Sequence, residues 1–169
     1  MWRPMFWQNT PMRKNSSSPS ITLADPRWRI GIVHSSYYPE EVRGLIDGAR
    51  AVFAEAGIPE ENVTLHPAPG SFEIPLLGAA LAKAAQVDAL IGLGVIIEGE
   101  THHADLLAHE VARGIMDVQV RFCLPFAFEV LYAADLRQVR ERSSGKNNRG
   151  REAAIAVLHS LAELKRIHT

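Results

Sequence analysis

Residues 98–110 read EGETHHADLLAHE and gather the types that chemistry needs: a glycine, a threonine, two adjacent histidines and flanking acids. Gly99 lets a ligand come close to the main chain, and the amides of Glu100, Thr101 and the residues after them would be free donors at the positive end of a helix. Such a loop holds phosphate. His103, in the first turn of that helix, would then stand beside the anion, where an imidazole passes protons near neutral pH. The bland alternative makes Gly99 a turn residue and Thr101 an N-cap. A metal is the other chemistry that paired histidines suggest. His102, Asp105 and His109 share one helical face, yet a rise of about 1.5 Å per residue separates the two histidine backbones by roughly 10 Å. One ion does not join both, and no other His or Cys spacing matches a metal site, so we expect none.

A second stretch, PGSFEIP at 69–75, combines a turn, an N-cap at Ser71, the ring of Phe72 and the carboxylate of Glu73. Glu73 either complements a helix dipole or accepts hydrogen bonds from a polyhydroxy ligand, while Tyr37 or Phe72 lies against a flat ring. Arg142 and Arg149 flank the glycine-containing break SSGKNNRG. They form either a solvated basic patch or one part of a site shared between subunits.

The elements that must position these residues alternate. RWRIGIVH (27–34), NVTLHPAP (62–69), DALIGLGVII (88–97) and PFAFEVLY (125–132) have the β-branched, apolar character of strands. Helices are expected from Pro39 to about Gly57, from Ser71 to about Gln86, from Thr101 or His102 to about Val120, from Asp135 to the glycine break, and over 151–167. The third strand is apolar without alternation, as expected where both sheet faces are covered. The pattern predicts a parallel sheet with helices on both faces, and ligands in such sheets gather at the carboxyl ends of the strands. SSYYP, PGSFE and EGETHH all fall on that rim.

Composition bounds the rest. The 169 residues suit one domain, with 47% hydrophobic and 22% charged residues, and 18 basic against 19 acidic residues leave a net charge of −1. No global field argues for nucleic acid, and no apolar run is long enough to cross a bilayer. Cys123, the single cysteine, excludes an internal disulfide and is expected to pack. Residues 1–24 carry Arg3, Arg13 and Lys14, a serine run and no acid. They read as a flexible tail, with an organellar targeting segment as the alternative, ahead of a single domain over 25–169.

Taken together, PGSFEIP, LGVIIEGETHHAD, VARGIM, LPFAFEVL, ERS and NNRGREAA, in this order and at these distances, resemble the 6,7-dimethyl-8-ribityllumazine synthase family from residue 28 to the C terminus. The resemblance implies a flavodoxin-like three-layer α/β/α domain with a four-stranded parallel sheet. It implies a transferase of riboflavin biosynthesis that condenses 5-amino-6-(D-ribitylamino)uracil with 3,4-dihydroxy-2-butanone 4-phosphate, releasing phosphate and water, without metal or organic cofactor. On this basis His103 matches the catalytic histidine and Asp105 the acid that orients it. Gly99, Glu100 and Thr101 match the phosphate loop, and Arg142 the arginine that pairs with it. The pyrimidine and ribityl chain would meet Tyr37, Ser71, Phe72, Glu73 and the backbone of Val95, Ile96 and Ile97, with Phe128 and Arg149 arriving from a neighbouring subunit. The family's sites form between neighbours of a pentamer, which in some members builds a decamer or a sixty-subunit shell, with riboflavin synthase as a further partner. A cytoplasmic enzyme is expected.

Three departures matter. Tyr37-Tyr38 stand where relatives commonly have phenylalanine-asparagine, and Tyr132-Ala133 where threonines are common. Glu98 replaces an arginine or lysine beside the phosphate loop, and its negative charge would repel an anion by roughly 2 kcal/mol at about 8 Å and an effective dielectric near 20. The competing readings are a shell-forming or flavin-binding homologue that has lost turnover and an archaeal-type riboflavin synthase. The combination of His103, Glu73 and Arg142 argues for the active synthase.

Overall fold

The computed structural model describes residues 24–168. Four strands, β1 (Ile30–Ser35), β2 (Val63–Ala68), β3 (Ala89–Ile97) and β4 (Phe126–Ala133), form one parallel sheet in the order β2-β1-β3-β4. Helices α1 (Pro39–Glu55), α4 (Leu136–Ser143) and α5 (Arg149–His168) pack together on one face, and α2 (Ile74–Lys83) and α3 (His103–Phe122) on the other. This is the flavodoxin-like architecture. β3 is buried on both faces up to Ile96, which explains its unbroken apolar sequence. The tail expectation falls on residues 1–23, outside the described residues, and Ala24 is anchored by its amide to Ala56 O at 3.0 Å.

Several boundaries differ from the sequence expectation for local reasons. β1 begins at Ile30, because the residues before it are claimed by side chains: Arg27 by Asp25, and the Arg29 amide and guanidinium by Asp88. Before α2, Ser71–Glu73 forms a 3-10 turn with Gly70, rather than Ser71, at its N-cap position. The helix then stops at Lys83, where Ala85 takes a left-handed backbone with φ 51°. Cys123 does not pack; it ends α3 in the left-handed region at φ 48° and is exposed. Asp135 caps α4 as expected, its carboxylate accepting from the Gln138 amide at 2.9 Å. α5 begins at Arg149 instead of Arg151, so both arginines of the glycine break sit on or beside helix ends.

That break is held by one buried amide. Asn148 is only 6% exposed and donates through Nδ2 to Gly44 O and Ser143 O, both at 2.8 Å, while its Oδ1 accepts from the Arg151 amide at 3.3 Å. It fits because position 48 has no side chain: a Cβ on Gly48 would lie 2.2 Å from Asn148 Oδ1. The corner between α4 and α5 is thereby fastened to α1, and with it the positions of Arg142 and Arg149. Asn148→Ala is expected to lose about 2–3 kcal/mol of stability, seen as a lower denaturant midpoint at unchanged slope. Gly48→Ala should act in the same direction by expelling the same side chain.

Candidate active site

The strand order reverses between β1 and β3, so the chain leaves the two central strands toward opposite sides and a crevice opens at their carboxyl ends. Past β1, the Ser36 amide and hydroxyl both reach Ala68 O, at 3.0 and 2.7 Å, tying this loop to the end of β2. The Tyr37 amide donates to Ser35 Oγ at 3.1 Å, and Tyr38 takes a left-handed backbone at φ 54° just before Pro39 opens α1. The kink separates the two rings. Tyr38 packs against the core, while Tyr37 is 66% exposed and stands over Gly70. Tyr37 therefore supplies the accessible ring of the pair.

The turn after β2 is closed by Glu73, whose Oε2 accepts from the Gly70 amide at 3.0 Å, leaving Phe72 61% exposed. Ser71 is buried against β3, where the absent side chain of Gly94 makes room for its hydroxyl; a Cβ there would lie 2.6 Å from Ser71 Oγ. The result is a cavity of about 640 Å³ that brings together Tyr37, Ser71, Phe72, Glu73, Val95, Ile96, Ile97 and His103. Tyr38, Ala104, Leu106, Leu107 and Glu110 also line it and were not anticipated. For the α3 residues the signal was present: Leu106, Leu107 and Glu110 follow His103 at helical spacings of three, four and seven. A larger groove of about 680 Å³ lies between the C-terminal parts of α2 and α3, roughly 20 Å along α3 from His103, and holds none of the expected site residues.

Beyond Ile97, the Glu98 amide donates to Ala133 O at 2.9 Å, and the chain then enters the exposed loop 99–102. Among the described residues the amides of Gly99, Glu100 and Thr101 have no acceptor, while Thr101 Oγ accepts from the His103 amide at 3.4 Å. Gly99 has no left-handed backbone, and a Cβ added to it would meet nothing within 4 Å. Neither packing nor conformation within the chain asks for glycine there; the free approach to its main chain is what the residue provides.

Asp105 departs from its expected orienting partner. Its carboxylate accepts from the Tyr132 hydroxyl at 2.5 Å and pairs with His102 Nδ1 at 3.6 Å, and it makes no bond to His103 among the described residues. Tyr132's bond, with help from His102, holds the Asp105 carboxyl below the usual range, and the same bond pushes the phenol's acidity the other way. No group of three metal-ligating side chains occurs among the described residues.

Phe128, Arg142 and Arg149 do not join the first cavity. They line a separate concavity of about 480 Å³ along the β4 edge, with Asp105, His109, Glu129 and Tyr132. The arginines around it differ in commitment. Arg137 pairs with Glu141, Arg140 with the buried Glu41 and Arg149 with Glu152, whereas Arg142 has no carboxylate partner among the described residues.

An α/β domain whose strand ends combine an aromatic-walled cleft, a loop of free amides and a first-turn histidine offers surfaces for a flat polar molecule and for an anion. The chain belongs to the 6,7-dimethyl-8-ribityllumazine synthase family, whose model matches residues 27–165. It is 39% identical to the 6,7-dimethyl-8-ribityllumazine synthase of Cytophaga hutchinsonii over 89% of this chain and 96% of that protein. The enzymes of the same name from Aquifex aeolicus and Thermococcus gammatolerans are 38% and 37% identical, over 77% and 82% of this chain and 85% and 88% of theirs.

Glu129 was not anticipated. Burial pushes its carboxyl up to about 7, against the pull of Arg149 and Arg142 and with the push of Glu152. A carboxyl that binds its proton more tightly when folded stabilises the fold fully below the unfolded value of 4.5. That contribution is lost as pH rises to about 7, by roughly 3 kcal/mol in all. Glu129→Gln is therefore expected to melt above the parent at pH 8 and close to it at pH 5. An equal gap at both pH values would show that Glu129 ionisation is not the cause.

Proposed function

We propose that this chain condenses 5-amino-6-(D-ribitylamino)uracil with 3,4-dihydroxy-2-butanone 4-phosphate to give 6,7-dimethyl-8-ribityllumazine, releasing phosphate and water. The observation that carries the reading is the division of the site: an aromatic cleft with its histidine on one surface, and Phe128 with the uncommitted Arg142 on another. Neither concavity alone offers both a ring clamp and a cation for phosphate. A ring of subunits joined through heterologous contacts brings the second surface of one chain against the first of the next, and a pentamer closes such a ring. Larger particles, a decamer or a sixty-subunit shell, would stack on the same unit, and riboflavin synthase is the partner that would consume the product. The catalytic domain covers 25–169 of a cytoplasmic protein.

In the cleft, Tyr37 and Phe72 face the pyrimidine, Glu73 accepts from the ribityl hydroxyls, and main-chain groups of Val95, Ile96 and Ile97 read the uracil edge. Phe128 and Arg149 of the neighbour complete the ring pocket. The amides of Gly99, Glu100 and Thr101, with the neighbour's Arg142, hold the phosphoryl group. The pyrimidine's amine attacks the ketone carbonyl, and loss of water gives an imine. Phosphate leaves by elimination, the resulting enol becomes a ketone, and the second amine adds to that carbonyl and closes the ring with loss of a second water. His103 moves the protons, taking one as the nitrogen nucleophile adds and returning it to the departing oxygen. Asp105 supports this site from the loop side. The reaction needs neither metal nor organic cofactor, because each step is a proton transfer or an addition to a carbonyl-derived carbon.

Incubation of the purified protein with both substrates should produce lumazine absorption and fluorescence; intact oligomers without product would favour a homologue that keeps the assembly but not the turnover. His103→Ala is expected to lower kcat about a hundredfold with assembly unchanged, and Arg142→Ala to raise KM for the phosphorylated ketone more than about tenfold. Dissociating and reassembling an equal mixture of the two variants should restore roughly a quarter of the sites, since one neighbour then supplies His103 and the other Arg142. Activity that stays at the level of the separate variants would rule out the shared site.

A further inference from the structure

Tyr132 has no part in the steps above, yet it occupies a controlling place. It stands on β4 opposite Ile96, close to the point where β3 ends. Its hydroxyl donates to Asp105 Oδ1 at 2.5 Å, and the Glu98 carboxylate adjoins the same hydroxyl. Glu98 is the last residue before the loop, and Asp105 belongs to the first turn of α3. The three side chains therefore bracket residues 99–102 from both ends. Main-chain and side-chain contacts add to the tie: the Glu98 amide reaches Ala133 O at 2.9 Å, and His102 Nδ1 lies 3.6 Å from Asp105 Oδ2.

We propose that Tyr132 is a positioning residue for the phosphate loop: through its bond to Asp105, with Glu98 alongside, it fixes the direction in which the amides of Gly99, Glu100 and Thr101 point. The inference rests on the synthase reading above. Glu98 and Asp105 repel one another, and an exposed loop of three unbonded amides has nothing of its own to resist that force. The Tyr132 hydroxyl gives its one proton to Asp105, and a hydrogen bond to a carboxylate is stronger than one between neutral groups, so the first turn of α3 is held to β4 against that force. Asp105, engaged by Tyr132 and His102, sets the loop and acts on His103 only through the start of α3.

Tyr132→Phe in the full-length protein removes one oxygen and keeps the ring. KM for 3,4-dihydroxy-2-butanone 4-phosphate should rise about tenfold, and the inhibition constant of inorganic phosphate by a similar factor. KM for the pyrimidine should stay within about twofold and kcat within about threefold, because the cleft and His103 are untouched. Amide hydrogen exchange over 98–106 should quicken while other segments hold their rates. An active parent whose Tyr132→Phe variant changes neither the ketone KM nor loop exchange would overturn the role. So would a parallel rise in both KM values with a lower Tm, which is a general loss of structure. An inactive parent whose loop exchange still responds to the substitution would sink the synthase reading and leave the tether standing.

Discussion

The structure turns on β3. Its residues up to Ile96 are buried on both faces between β1 and β4, so the chain meets water only where that strand ends. Burying so continuous an apolar strand is the main drive for a parallel sheet with helices on each side, and it fixes the height of everything at the rim. The register then does the rest. Ile97 pairs with Ala133 and Leu93 with His34, which places the loop after β3 level with Tyr132 on one side and within reach of the turn after β1 on the other. The anion loop is exposed because the strand before it cannot be.

A second constraint divides the site. Residues on β4, α4 and α5 face away from the cleft they are expected to complete, across the breadth of the sheet edge. A single chain thus carries two unlike surfaces, each with a surplus the other lacks. The β4 surface holds the uncommitted Arg142 beside Glu129, whose buried carboxyl tends to keep its proton; a neutral Glu129 leaves the local charge to the arginines. The cleft holds rings and unbonded amides. Association that covers both surfaces removes water from the arginine and the loop together, and charge-assisted bonds strengthen as the local dielectric falls.

Much of this was legible in the sequence, and the exceptions have physical causes. Strand and helix types followed from apolar periodicity, and Asp135 declared its helix start by being a short acid ahead of an amphipathic run. Tyr37, Ser71, Phe72, Glu73 and His103 could be named because turns, rings and acids cluster at strand ends, whereas Val95, Ile96 and Ile97 came from the family resemblance. What periodicity cannot report is where a long side chain goes once neighbours from distant sequence arrive. Ser71 looked like a cap, but Gly94, 23 positions later, gives its hydroxyl a place against β3 and leaves Gly70 at the helix entrance. Cys123 looked like packing, yet the left-handed turn that ends α3 points it outward. Glu129 lies on a strand, and the charges that act on it through space, Arg149, Glu152 and Arg142, come from two helices further on.

Asp105 is the instructive case. Its place two residues after His103 made it an orienting acid by resemblance, and local spacing offered nothing against that role. Its choice of partner was decided by Tyr132, a residue 27 positions away, whose phenol carries its oxygen across a ring toward the start of α3. The phenol thus ties the first turn of α3 to β4 just beyond the loop that Glu98 begins, a link between distant parts of the sequence that only the folded chain brings together.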